Sequence, residues 1–515
     1  MSCEPAPCGE KRLRPRRRFR FRRRIDAVAL ACAVAMLILS LQADATFADP
    51  AADTIEALQT QLRQMQQQMQ KMQKKLDELE STKKPAPAAA AAMKPAGAAS
   101  TVTVAAPPAA ATAPAPAPVA TAAPAAQPSL MQAALGGQPV TVMRSASGAN
   151  YMNMSFDAIT DVGSSTTNDV GKLQLGDHDP DQRGFSLRNA EVALDGAVDP
   201  YFKGFANIVF KLDKGNETSV ELEEAYLVST SLPWNLQVKA GQFFADFGRL
   251  NPTHPHTWGF VDEPIIMGRL LGGDGLRNVG AKVSWLAPTP FYTELMLDVF
   301  NGEGGTAFSF RDPDNTYGRE PVDHGIHKVS DLLFVPRITS SFDLTDTQTL
   351  VVGASGAFGP NDTGRGSSAY SEVYGVDTYW KWRPERAEQG FPFVSWQTEG
   401  MLRRYEAAAD PVAFLPKETF DDYGFYSQVL WGFYVRWVAG LRGEYATGDH
   451  SEFDNTDPLE RGNRTRVSPN ITFYPTEFSK LRLQYNYDHG QVFGDEHSVW
   501  VQVEFILGAH GAHKF

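Results

Sequence analysis

Two histidines one residue apart, His254 and His256, are followed within nine residues by Asp262 and Glu263. Imidazole and carboxylate together make a ligand set for a divalent metal, so these four residues are the chain's candidate metal site. Pro255 between the histidines fixes the local backbone and gives a structural reason for the same pattern. The surrounding stretch, 247–275, also carries Arg249, Arg269 and Asp274, and Arg277 follows it directly. Charges of both signs on one connection suit a constriction that selects by charge and size. The same stretch holds Trp258, Phe260, Ile265, Ile266, Met267, Leu270 and Leu271, too much apolar surface for a loop left in solvent. The spacing therefore predicts a connection that folds back onto its scaffold, with Arg249, His254, His256, Asp262, Glu263, Arg269, Asp274 and Arg277 lining whatever passage it narrows.

Other chemistry is excluded by what is missing. The sequence has no GxSxG elbow, no P-loop and no HExxH pair, and no alternation of strand and helix that would build a nucleotide fold. No catalytic residue and no organic cofactor are expected, and a divalent metal is the one cofactor the residues leave open. Cys3, Cys8 and Cys32 are the only cysteines, and all three lie in the first 48 residues. A chain processed beyond that point has no thiol nucleophile and no disulfide.

The elements that must position the site begin after Tyr151, where hydropathy alternates with period two. Residues 201–212 place Phe202, Ala206, Ile208 and Phe210 against Lys203, Asn207 and Lys211, and residues 219–230 repeat the pattern except where Glu224 follows Glu223. Sixteen such segments are legible: 151–160, 183–197, 201–213, 219–230, 235–246, 276–287, 291–302, 328–341, 348–358, 370–383, 393–405, 422–432, 434–447, 463–475, 479–489 and 496–507. Short turns alternate with long polar connections at 161–182, 303–327, 406–421 and 448–462. Strands with one apolar and one polar face, joined this way, describe an all-β transmembrane barrel of about sixteen antiparallel strands, with fourteen or eighteen also compatible. Tyr201, Phe202, Trp234, Trp285, Tyr292, Trp380, Trp382 and Trp431 fall near strand ends as interfacial girdles do. Arg188, Lys203, Lys211, Glu221, Glu223, Lys239, Lys282, Arg403, Arg436, Arg442, Glu444, Arg464, Arg466, Arg482 and Gln484 are costly against lipid and expected to face inward.

Ahead of the barrel (143–515) the chain has three segments of different character. Residues 1–48 read as an export signal: ten Lys and Arg between 11 and 24, then the apolar run 27–41, then small residues. Residues 49–83 carry Ile55, Leu58, Leu62, Met65, Met69, Met72, Leu76 and Leu79 at alternating spacings of three and four, the seam of a coiled coil that self-associates. Residues 84–142, with eleven prolines, cannot form a continuous helix or a core and read as a linker reaching about 180 Å if extended. Residues 1–45 hold ten basic and four acidic side chains, so the net charge of −12 becomes about −18 beyond them, which argues against nucleic acid as a partner.

With the signal, the heptads, the strands, the stretch GQFFADFGRLNPTHPHTWGFVDEP at 241–264 and the terminal VQVEFILGAHGAHKF, the chain resembles Gram-negative outer-membrane porins, in particular the phosphate-selective O and P type. The heptad region is similar to the periplasmic stalk of certain trimeric porins. The resemblance implies a homotrimeric, passive channel for small hydrophilic solutes, placed in the outer membrane among its lipids and lipopolysaccharide by the barrel-insertion machinery, with the stalk in the periplasm. Two departures stand out: Phe515 is preceded by GAHGAHK rather than by a strongly apolar alternation, and an acidic chain does not favour anion selectivity. His510 and His513 in that tail are weaker metal candidates. A receptor or specific uptake channel for a metal or solute, and a structural envelope tether, are the alternative readings.

Overall fold

The computed structural model describes residues 140–145, 150–197, 199–322, 325–364, 369–449 and 461–508. The expected signal, the heptad segment, nearly all of the Ala/Pro segment, and His510 and His513 lie outside the described residues. Seventeen strands occur among the described residues: β1 (Val140–Arg144), β2 (Tyr151–Ser165), β3 (Gly184–Ala197), β4 (Phe202–Leu212), β5 (Thr218–Ser229), β6 (Leu236–Phe244), β7 (Arg277–Leu286), β8 (Tyr292–Phe300), β9 (Leu333–Thr345), β10 (Gln348–Pro360), β11 (Tyr370–Trp382), β12 (Phe393–Ala407), β13 (Glu418–Tyr434), β14 (Trp437–Gly448), β15 (Arg464–Thr476), β16 (Ser479–Gly490) and β17 (Gly494–Leu507).

Each of β2 to β16 pairs antiparallel with its successor, and β17 returns to pair with β2, which closes a barrel of sixteen strands. Closure pairs the first barrel strand with the last, the condition for crossing lipid with strands. No helix among the described residues is long and apolar enough to cross a membrane. β1 is additional to the sixteen expected segments. It pairs with Tyr151–Met154 of β2, while β17 occupies the same edge of β2 from Phe156 onward. β1 thus covers the stretch of edge that β17 leaves open.

The alternation read from sequence is visible as two faces. On β17, Val499, Val501, Val503, Phe505 and Leu507 are exposed on the outside, while Ser498, Trp500, Gln502, Glu504 and Ile506 are buried inside. Leu481, Leu483 and Tyr485 alternate with Lys480, Arg482, Gln484 and Asn486 on β16 in the same way. Outward Tyr201, Phe202, Trp234, Trp285, Tyr292 and Trp431 are exposed at the end of the short turns, where an aromatic girdle belongs. One expected inward residue is corrected: Arg436 is not in a strand but in the exposed two-residue turn between β13 and β14, with φ of 70°. The turn itself requires that position, because β13 runs through Tyr434 and β14 begins at Trp437.

A second difference concerns the interior. A wholly polar inner face was the expectation, yet inward Phe300, Leu333, Val335, Ala357, Val373 and Met401 form one buried apolar cluster with Phe243, Phe247, Ile265, Ile266, Met267, Leu270 and Leu271. These wall residues are apolar because they meet chain rather than water. The β6–β7 connection lies inside the barrel against them.

Candidate functional site

The connection from Ala245 to Leu276 enters and leaves the lumen through a neck closed by one side chain. Ala245 N–H donates to Leu276 O at 2.9 Å, and Asn251 Nδ2 donates to both Ala245 O (2.8 Å) and Leu276 O (3.0 Å) while its Oδ1 accepts from Leu276 N–H (2.8 Å). Inside the neck most of the segment has no regular structure, so its backbone polar groups need partners from elsewhere. The wall supplies them. Gly248 N–H donates to Ser355 Oγ on β10, and Arg249 and Leu250 N–H both donate to the Glu399 carboxylate on β12 at 2.9 Å. Further along, the carbonyls of His256, Trp258 and Gly259 accept from Lys480 (2.7 Å), Arg482 (2.8 Å) and Asn470 (2.9 Å) on β15 and β16. Val261 N–H donates to Gln484, and Ile265 N–H to Glu444 on β14. The segment therefore crosses the lumen and is held on opposite walls.

One helix interrupts it, α1 (Ile265–Leu271), every residue of which is buried and which packs on β13 and β14. Gly272 ends it with φ of 91°, a left-handed conformation that glycine adopts without strain. The wall makes room in the same currency: a Cβ on Gly375 of β11 would sit 2.8 Å from the Phe247 ring. Two other connections add to the filling. Asp179, from 166–183, accepts from Gly176 and Glu263 N–H, and Ser309, from 301–332, donates to Leu270 O.

The predicted residues fall into three places. Asp262, fully buried, reaches β14 to β16, where Arg442 (2.5 Å), Arg466 (3.0 Å), Gln484 (2.8 Å) and Asn486 (2.6 Å) all donate to its carboxylate. Burial opposes its charge, but the two guanidinium groups prevail and hold its pKa down to about 2. Glu263 beside it is buried near Asp179. Burial and the Asp179 charge push Glu263 well above the usual carboxylate range. Arg269 is buried on α1 and its carbonyl accepts from Arg403 at 3.5 Å. Arg249 is half-buried, its guanidinium 3.9 Å from the centre of the Tyr379 ring. Asp274 and Arg277 join Lys211, Glu221, Asp177 and His178 near the neck.

The histidine rings make their contacts elsewhere. The turn Pro255–Thr257 and the run after it carry Asp262 to the arginine wall, while His254 and His256 stay beside β2 to β5. His254 Nδ1 lies 2.9 Å from Glu223 Oε2 and 3.7 Å from Glu191 Oε2, and its Nε2 lies 3.0 Å from Glu224 Oε2. His256 Nδ1 lies 3.7 Å from Glu191 Oε2 and 3.9 Å from Asp157 Oδ2. The two rings stack with centroids 5.7 Å apart. Burial works against charge on His254, yet Glu223, Glu224 and Glu191 raise its pKa well above the ordinary histidine value. Asp157–Glu191–His256 and Glu191–Glu223–His254 are each close enough, with ligand atoms within 4.8 Å of one another, to hold a metal ion.

Asp157, Glu191, Glu223 and Glu224 were not singled out as ligands from sequence, Glu223 being expected only as an inward-facing strand residue. Glu224, which interrupts the alternation, did carry a signal. The β4–β5 register shifts between Asn207 and Ile208, leaving Glu223 as an extra residue. This bulge leaves both Glu223 and Glu224 buried and within reach of His254. The lumen wall carries both signs on every side: Arg403, Arg442, Arg464 and Arg466 on β12 to β15 pair with Asp422, Glu444 and Asp488 of the same wall, while Lys211 on β4 and Arg277 on β7 pair with Glu221 beside the acidic group on β2 to β5.

Sixteen antiparallel strands closed on themselves, an outward apolar belt and a charged lumen crossed by its own connection define a transmembrane β-barrel of the outer-membrane type. The chain belongs to the same family as an uncharacterized protein of Aquifex aeolicus (strain VF5), with which it is 30% identical over 356 residues, 65% of this chain and 71% of that one. No family model matches the sequence. Among solved structures it is similar to the outer membrane channel DcaP of Acinetobacter baumannii (11% identity, TM-score 0.47, 71% of this chain and 99% of that one). Similar too are OmpT, an outer membrane protein of Vibrio cholerae, in its trimer form (7%, 0.43, 70% and 99%), and OprB of Pseudomonas putida (10%, 0.43, 69% and 94%). The closure of the barrel is established by the chain's own strand pairing.

Proposed function

We propose that this protein is a non-enzymatic outer-membrane channel for small hydrophilic solutes or ions, moving passively, with residues 247–275 forming its constriction. The observation that carries the reading is the crossing segment itself, tied through Asp262 to Arg442 and Arg466 and through His254 to Glu223 and Glu224. A barrel needing only to anchor the envelope has no use for a charged segment held across its lumen. Opposed charges across a narrowed path impose a transverse field that sorts solutes by charge and dipole. The short-turn end, where β1 and β2 begin, faces the periplasm in this reading, and the heptads of 49–83 form a stalk there that joins a homotrimer. Planar-bilayer recording of the purified full-length protein under a salt gradient tests the proposal: discrete conductance steps with a non-zero reversal potential are expected, and a folded barrel that never conducts contradicts it. A second reading, selective uptake of one solute, is favoured by the buried state of the segment from Phe260 to Leu271, since so firmly packed a crossing leaves less free section than an open pore.

A further inference from the structure

We propose that two triads sharing Glu191, namely Glu191, Glu223 and His254, and Asp157, Glu191 and His256, form adjoining positions for divalent transition-metal ions of the zinc class that clamp the crossing segment to the barrel wall. The ligands come from both sides of that junction: His254 and His256 from the segment, Asp157 from β2, Glu191 from β3 and Glu223 from β5.

The hydrogen-bond geometry around His254 points to a cation. Its Nε2 faces the Glu224 carboxylate at 3.0 Å, an acceptor, so that nitrogen carries the hydrogen. In the neutral ring the Nδ1 lone pair then points where Glu223 Oε2 and Glu191 Oε2 also converge, at 2.9 and 3.7 Å. The amide Nδ2 of Asn207 reaches all three, at 2.6 Å from Glu223 Oε2, 3.0 Å from Glu191 Oε2 and 3.2 Å from Nδ1, and has two hydrogens for three acceptors. Carboxylate, imidazole, metal is the arrangement in which a ligating histidine is ordinarily oriented by the acid behind it, and Glu224 occupies that place. Asn189, which donates to Glu191, holds the shared carboxylate from the other side.

Asp157 supplies an independent observation. Its side chain is more than nine-tenths buried, its Oδ2 makes no hydrogen bond, and that atom is aimed at His256 Nδ1 from 3.9 Å, too far for a direct bond. A buried carboxylate oxygen without a partner is costly, and a cation between it and the imidazole removes the cost. The fixed cations nearby are committed elsewhere. Lys480 Nζ lies 2.5 Å from Glu504 Oε2 and donates to His256 O, and Arg277 pairs with Glu221. His178, 3.5 Å from Glu223 Oε1, faces Asp274 as well. Four carboxylates, Asp157, Glu191, Glu223 and Glu224, thus surround two imidazoles, and the nitrogen donors select a late first-row ion over calcium or magnesium, which prefer oxygen throughout.

The test uses tag-free full-length protein in detergent, stripped with chelator, exposed to buffered Zn2+ and separated from free metal by gel filtration before elemental analysis. Heat-modifiable gel migration confirms that each variant is folded. Wild type should retain at least one equivalent of zinc at micromolar free metal, with E191Q binding at least tenfold more weakly because Glu191 belongs to both triads. H254Q and D157N each remove one contributor and serve if E191Q does not fold. E263Q should bind like wild type, since Glu263 belongs to neither triad. Zinc should also raise the temperature at which heat-modified mobility appears in wild type but not in E191Q. Folded wild type retaining no zinc overturns the proposal, and E191Q binding as tightly as wild type overturns it equally. Neither readout involves conductance, so failure here is distinguishable from failure of the channel reading.

Discussion

Asp262 is held by Arg442 and Arg466 in a fully buried site, and each guanidinium keeps a second carboxylate, Glu444 for Arg442 and Asp488 for Arg466. D262N keeps the volume but removes the shared charge, a loss of about 1.5 to 3 kcal/mol as for a hydrogen bond to a charged group. The expected outcome is a segment that docks less firmly and a local potential that turns more positive, so the bilayer reversal potential of D262N should shift toward anion preference. An unchanged reversal potential in folded D262N would place Asp262 off the conduction path. Asp179 makes the pH dependence of the same region predictable. Burial, reinforced by the Asp262 charge, pushes its pKa from 3.8 up to about 7. Because the folded value is the higher one, the carboxyl binds its proton more tightly when the segment is docked. Its contribution is complete below about pH 4 and is lost as pH rises through about 7. Hydrogen exchange across 252–272 should therefore be slower at pH 5 than at pH 8, after correction for intrinsic rates, and equal or reversed protection would refute the assignment. Little of this was legible beforehand. Asp262 and the histidines stand close together in sequence, and only the three-dimensional path shows that the Asp262 carboxylate goes to β14 to β16 while the imidazoles go to β2 to β5.

The strands were the most legible elements because each must present lipid with an apolar face at every second position, a constraint written into local sequence. β17 ends at Leu507, where the alternation stops, and Glu223–Glu224 marks a real bulge rather than noise. β1 left no such trace: five residues of VTVMR at the margin of an Ala/Pro-rich stretch have no period to detect, and their strand conformation is imposed by the open edge of β2. The inward course of 247–275 was readable from its surplus of apolar residues, but its partners were not, since Ser355, Glu399, Glu444 and Gln484 are each set by barrel register. The stalk is an element still to be tested. A peptide spanning 49–83 should self-associate through its Leu and Met seam, and replacing Leu62, Met65, Met69 and Met72 with Asp should make it monomeric by analytical ultracentrifugation. A wild-type peptide that is monomeric at high micromolar concentration would remove the autonomous stalk.

At the scale of the whole molecule, the barrel does two jobs with one set of inward side chains. The buried apolar patch on β8 to β14 receives α1, and the charged remainder satisfies the backbone of the irregular chain on either side of it. That division explains why a chain of mean hydropathy −0.30 can be a membrane protein: its polar residues are turned inward, where the crossing segment and water meet them. Single-channel conductance of wild type should be compared with that of a variant in which 252–272 is replaced by a short Gly and Ser bridge, with heat-modifiable migration confirming that both barrels form. A segment that crosses the lumen and narrows it predicts a severalfold larger conductance and weaker ion selectivity in the bridged variant, whereas equal conductance and selectivity in two well-folded barrels would contradict the constriction and assign the segment a purely structural role.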